Sequence, residues 1–212
     1  MNAVRIGPVV FCGENPNMML VDSTTESITA AVSYWDCTYS DYGVGHVLLI
    51  YLDAKNVAVL DHARIAIYAD NAPLARYLTD TFNQHFDDWQ QWDFSGAAVE
   101  QARFSKESDS REFYRINCYS GQIQIDLLWN DIRDRGFRTF PDLNGGGFGS
   151  ASDEHYHVAN VIFLCGQGSI TINQRHAAGT VHTRTLPDGR FSSSVFVALS
   201  ETWIKSTEVT ER

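Results

Sequence analysis

The chain has 212 residues, 44 % of them hydrophobic and 20 % charged, which suits one globular domain or two small halves sharing a core. Its net charge of −10 makes phosphate backbones and anionic membrane surfaces poor partners, so neither a nucleic-acid nor a membrane role is expected. The N-terminal "MNAVRIGPVVFCGENP" lacks the apolar segment and cleavage site of a signal peptide, and no run approaches the roughly 20 apolar residues of a spanning helix.

The cysteines are Cys12, Cys37, Cys118 and Cys165, widely spaced and without a CxxC pair. The expectation is a cytoplasmic protein with free thiols. The 12 Phe, 9 Tyr and 5 Trp favour β structure and pocket walls.

Taken in chain order, strand-like segments dominate from Ile28 onward. "ITAAVSYW" ends at Trp35, "HVLLIYL" covers 46–52, "NVAVL" covers 56–60 and "ARIAIYAD" covers 63–70. All are rich in β-branched and aromatic residues and are separated by turn-like breaks. "NAPLARYLTDTFNQHFDDW" differs. Leu74, Leu78, Phe82, Phe86 and Trp89 recur three or four residues apart. With Asn71 as cap and Pro73 in the first turn, the spacing predicts one substantial helix over about 73–89.

Strands then resume with "AVEQARF", "EFYRINCY" and "QIQIDLLW". In the last, Gln122, Gln124 and Asp126 alternate with Ile123, Ile125, Leu127 and Trp129. "LNGGGFGSAS" reads as a loop, because no phosphate-binding GK[ST] follows. "HYHVANVIFLC", "GSITINQ", "GTVHTRT" and "SSSVFVALSETWI" complete the set, with Pro187-Asp188-Gly189 as a turn between the last two. "GHVLLIYLDAKNVAVLDHA" from Gly45 is echoed by "YHVANVIFLCGQGSITINQRHA" from Tyr156. The echo suggests that a single domain over 1–212 contains two related β units, about 28–70 and 150–204.

Three constellations could carry chemistry. In "GSASDEHYHVANVIFLCGQGS" the order Gly149, His155, His157, Val161, Gly168 resembles the first signature of the cupins. That resemblance implies a divalent metal held by His155 and His157, which share one face of a strand. Two positions depart from it: Val161 stands where the family has glutamate, and Ser192 where the second signature has histidine.

"SYWDCTYSDYGVGHVLLIYL", with Trp35, Asp36, Asp41, Gly43 and the strand from Val47, resembles the opening hairpin of the carotenoid 1,2-hydratase-like proteins. The resemblance implies a lipocalin-like (calycin) β-barrel and a cofactor-independent hydration, isomerisation or cyclisation of an apolar metabolite.

The third constellation is a set of polar and aromatic side chains on strands expected to line a cavity. Asp36, His46, His155 and His157 are candidate proton-transfer groups. Trp35, Tyr39, Gln124, Asp126, Trp129 and Tyr156 are candidate substrate contacts. No G-x-S-x-G, H-E-x-x-H, G-x-G-x-x-G or P-loop occurs; the expectation of no cofactor is what the hydratase-like resemblance implies.

The expectation is therefore a mainly β, antiparallel, lipocalin-like barrel with one substantial helix. It would bind a hydrophobic small molecule and act as a lyase, isomerase or cyclase through Asp, His and Tyr proton transfer. A non-enzymatic carrier of the same fold and a metal-dependent cupin are the alternatives, and a homo-oligomer is compatible with all three.

Overall fold

The computed structural model describes residues 7–60, 63–80, 87–109, 111–141 and 156–205. In chain order the elements are β1 (Val9–Glu14), β2 (Asn17–Val21), β3 (Ile28–Ser40), β4 (Gly45–Leu52), β5 (Ile65–Ala69), α1 (Ala72–Asp80), α2 (Asp87–Gln90), β6 (Val99–Gln101) and β7 (Arg103–Asp109). They continue with β8 (Phe113–Ser120), β9 (Ile123–Pro141), β10 (Tyr156–Ile172), β11 (Arg175–His176), β12 (Thr180–Val181), β13 (Thr183–Thr185), β14 (Phe191–Ser193) and β15 (Val195–Lys205). The chain is mainly β, with α1 as its one substantial helix.

Among the described residues, 13 strands form one sheet: ten follow the order β6-β5-β4-β3-β1-β15-β10-β9-β8-β7, and β2, β11 and β12 pair off that path. β2 continues the slot of β1: Met18 sits opposite Val32 of β3 and Val195 of β15. The end strands of this order, β6 and β7, are separated in the chain by Ala102 alone, whose N–H bonds the Ala69 carbonyl of β5. Side chains also reach across the concave face. Trp129 Nε1 on β9 donates to the Asn17 carbonyl on β2 at 2.9 Å, and the Tyr114 hydroxyl on β8 donates to Glu14 on β1.

Two apolar cores share the sheet. Met18, Val32, Tyr34, Leu48, Ile50, Tyr114, Ile116, Leu127, Trp129 and Ile170 pack on the inner face. Trp35, Val47, Leu49, Ile67, Trp89, Trp92 and Trp203 pack on the outer face with Leu74, Ala75 and Leu78 of α1. β4 is buried on both faces, which is why its sequence is a continuous apolar run rather than an alternation. The pairings are antiparallel except that of β5 with β6, parallel with Ile67 opposite Val99. A parallel return needs a crossover connection, and α1 supplies it.

Several sequence expectations change. "NVAVL" was expected as a strand, yet Val57–Leu60 is a 3-10 turn. Asp53 starts it by accepting from the Asn56 N–H, while the Asn56 side chain bonds the carbonyls of Thr29 and Ala178 at 3.0 Å. β4 already has β5 as its neighbour, so no strand position is open there. The expected helix over 73–89 appears as α1 and α2, and 81–86 lie outside the described residues. Asn71 does cap α1, through the Leu74 N–H at 3.1 Å.

The two strands read at 155–165 and 168–174 are largely one. β10 is one strand paired with β9 from His157 to Ile172, with a bulge between Leu164 and Cys165. Its glycines mark close approach rather than a turn: a Cβ on Gly166 would meet Asp131 Oδ2 at 2.1 Å. The glycine-rich loop at 143–152 lies outside the described residues. Among the described residues no helix is long and apolar enough to cross a membrane.

Glu201 of β15 lies in the outer core, 4 % exposed, with Trp203 Nε1 donating to Oε1 at 2.6 Å. Burial pushes its carboxyl up to about 7, against the lowering effect of hydrogen bonds from Trp203, Asn15 and Asn160. The native carboxyl thus keeps its proton where an unfolded one, near 4.5, has lost it. This contribution to stability is complete below about pH 4.5 and is lost as pH rises to about 7, on the order of 3 kcal/mol at most. Glu201→Gln should therefore flatten the decline of the urea midpoint between about pH 5 and pH 7. An unchanged slope would show that Glu201 is not the group responsible.

Candidate functional site

The inner-face positions of β3 are Ala30, Val32 and Tyr34, and those of β4 are Leu52, Ile50 and Leu48. One step further along each strand, the same face carries Asp36 and His46, which stand opposite each other in the ladder. Apolar side chains fill the inner core, and charge begins where that core meets solvent.

The imidazole is held by Asp70, just beyond β5. Asp70 Oδ1 accepts the His46 backbone N–H and Oδ2 meets ring Nδ1, both at 2.6 Å. A carboxylate only accepts, so Nδ1 carries the proton and a neutral ring presents an unprotonated Nε2. Nε2 makes no hydrogen bond to a described residue; the nearest carboxylate atom, Asp36 Oδ1, is 3.6 Å away. The ring also stacks on Tyr34, at 6.1 Å between centroids, and meets the tilted ring of Phe104 at 5.4 Å.

Asp36 has another partner. Its Oδ2 receives Lys106 Nζ at 2.8 Å, and the same ammonium lies 3.0 Å from Glu14 Oε2. Burial favours the neutral amine, but hydrogen bonds from the ammonium to Asp36 and Glu14, with their charges, outweigh it and leave the Lys106 pKa raised. Glu14 completes the chain by accepting from the Tyr114 hydroxyl. Burial, then the charges of Asp36 and Glu14, push the Tyr34 phenol up; burial and Glu14 do the same to Tyr114, so both stay protonated.

The groups open onto a shallow, solvent-open cleft of about 650 Å³ lined by Asp36, His46 and Asp70 together with Cys37, Thr38, Val44 and Gly45. Exposed apolar groups stand at the turn beside it: Tyr39 and Tyr42, each 48 % exposed, and Val44, 65 % exposed. Neither potential nucleophile in the lining is activated. Thr38 Oγ1 donates to the Cys12 carbonyl, and burial raises the Cys37 thiol, which donates to the Tyr39 carbonyl. The arrangement can take and return a proton; it has no poised group for covalent catalysis.

The sequence-predicted residues divide accordingly. Asp36 and His46 come together. Trp129 lies in the inner core, edge-on to the Tyr114 ring at 5.8 Å. Trp35 and Tyr156 lie on the outer face, against Phe11 and Trp203. Gln124 is exposed, and Asp126 meets Arg115 Nε at 2.8 Å. Both alternate with Ile125 and Leu127 of the inner core and so face away from it. His157 is half-buried, with Nε2 buried and without a hydrogen-bond partner among the described residues, and His155 lies outside them.

Sequence reasoning missed Glu14, Asp70, Lys106 and Tyr114. Asp70 alone left a signal, as the polar residue ending the strand next to β4. Asp36 and Asp70 flank opposite ring nitrogens, so they cannot share one ion with His46. Among the described residues no group of three or more His, Cys, Asp or Glu side chains could hold a metal.

Gly45 makes the Asp70 approach possible. Its φ is +151°, and a Cβ there would lie 2.6 Å from Asp70 Oδ1 and 2.8 Å from Asn71 Cβ. Gly45→Ala should cost about 1–3 kcal/mol in urea unfolding and break the His46–Asp70 hydrogen bond. The loss of a downfield Nδ1 proton resonance would report it; a retained resonance would show that the glycine is dispensable.

A scan of family models and a search of curated proteins find no match to this chain, so the chemistry of this cleft rests on its geometry.

Proposed function

We propose that the protein binds a neutral, apolar-bodied small molecule and moves a proton on it without a cofactor, as an isomerase, lyase or cyclase. The observation that carries this reading is the His46 ring, fixed through Nδ1 by Asp70 with Nε2 unbonded beside a cleft. This is the base-and-orienter half of a catalytic triad without the nucleophile. His46 takes a proton from a carbon beside a carbonyl or an alkene, Asp70 stabilises the imidazolium, and the proton returns at a second carbon. Tyr39, Tyr42 and Val44 would hold the apolar body. Carboxylates around the cleft disfavour an anionic substrate.

The sheet supports the reading of a lipocalin-like barrel. Its end strands are joined by one residue, and side chains bond across its concave face. The inner core is filled by almost wholly buried side chains, so the ligand would sit at the open end rather than deep inside. The unpaired cysteines fit a reducing compartment such as the cytoplasm.

Incubating the protein in D₂O with a panel of neutral apolar ketones, enones and polyenes tests this. Mass spectrometry should find deuterium entering at least one compound. His46→Gln should lower that rate by about 10²-fold or more, and Asp70→Asn by a smaller factor. Binding without exchange would assign the chain to the carriers.

A further inference from the structure

We infer that Lys106 is a positioning residue that insulates His46 from Asp36, leaving Nε2 open to the cleft and setting the pH at which the imidazole takes up a proton. The inference deepens the reading of His46 as a base and rests on it for its consequence.

Two carboxylates flank the imidazole, Asp70 on the Nδ1 side and Asp36 on the Nε2 side. If both engaged the ring, both nitrogens would be held as donors. The imidazolium would then be strongly favoured and the base lost. The geometry prevents this on one side only. Asp70 is at hydrogen-bond distance, whereas Asp36 stands at 3.6 Å and gives its other oxygen to Lys106 at 2.8 Å.

Lys106 comes from β7, 70 positions away in the chain, and is fixed from behind by Glu14. The groups facing His46 are thus Asp70 beyond β5, Asp36 and Tyr34 from β3, and Phe104 from β7. Lys106 of β7 and Glu14 of β1 lie behind Asp36. Asp36 thus faces the ring with its ammonium partner behind it, and Asp70 alone is at hydrogen-bond distance from the ring. A lysine suits this task, because one ammonium can donate to Asp36 and Glu14 at once.

The test follows the Cε1–H resonance of His46, identified by its loss in His46→Gln, across a pH titration. Lys106→Met should raise the midpoint by about one unit, because Asp36 is then unpaired and free to reach Nε2. Lys106→Arg should leave it within about 0.3 units. Asp36→Asn should lower it by about one unit, since the ammonium is left uncompensated. The double variant Asp36→Asn/Lys106→Met should return it to within about 0.5 units of the parent.

An unmoved midpoint in Lys106→Met overturns the proposal, and so does a double variant shifted as far as Lys106→Met. If Lys106→Met does not fold, Asp36→Asn and the double variant decide, since removing both charges leaves neither unpaired. Those outcomes are separate from turnover. A failed titration removes the role of Lys106 and leaves the His46–Asp70 pair; failed deuterium exchange removes the reaction and leaves the titration.

Discussion

The Ala102 joint is the constraint on which the rest of the molecule depends. β6 closes against β5 and β7 against β8, yet one residue separates them in the chain. A flat sheet would hold its two end strands many strand spacings apart, at about 4.8 Å per spacing, and one residue spans less than 4 Å. The sheet therefore has to curl, and curling makes its two faces unequal. The inner face becomes a core that the sheet itself encloses. The outer face of β4 and β5 needs a separate cover, and α1 supplies it with Leu74, Ala75 and Leu78. The helix thus answers two needs: a crossover for the parallel return and an apolar lid for the outer face.

Curling also assembles the site. Lys106 lies at the end of the strand order, while Glu14 and Asp36 lie near its middle. They meet because the concave face brings β7 across to β1 and β3. The inner-face run Val32, Tyr34, Asp36 shows the same logic along a single strand, as does Ile50, Leu48, His46 on its neighbour. Charges there are half-exposed and paired, which avoids the desolvation cost of burying them deeper.

Much of this was legible in the chain, and the remainder has identifiable causes. Strands β3, β4, β5 and β8 announced themselves by β-branched and aromatic composition. The Pro187–Gly189 turn is present, with Gly189 at φ +82°. Asp36 and His46 could be named because they flank one hairpin, so their meeting is local. Glu14 and Lys106 could not, since 92 residues separate them and no local pattern links them. Alternation along "QIQIDLLW" was real, but alternation alone does not say which face is enclosed, and Gln124 and Asp126 lie on the outside. β1 and β2 escaped notice because Pro16 breaks one slot of the sheet into two short pieces, although its carbonyl still accepts from the Tyr34 N–H at 2.9 Å. The segments 155–165 and 168–174 read as two strands where the structure has one, interrupted only by a bulge between Leu164 and Cys165.

Two glutamates on neighbouring strands show how differently the two faces of the sheet treat the same residue type. Glu201 of β15 stands opposite Gly13 of β1, and Glu14 is the next residue along. Their environments differ because the two side chains leave opposite faces of the sheet. Glu201 enters the outer core, where only neutral donors reach it, and burial favours its uncharged form. Glu14 points inward to an ammonium and a phenol, both of which stabilise a carboxylate. A proton on Glu201 is enclosed by the outer core. Charge beside Glu14 is balanced by Lys106, which passes that balance on to Asp36 and leaves His46 with one strong partner and one unbonded nitrogen. The same residue type is thus kept neutral on one face and joined to a charged network on the other, and which it becomes depends on the cation that the curled sheet delivers.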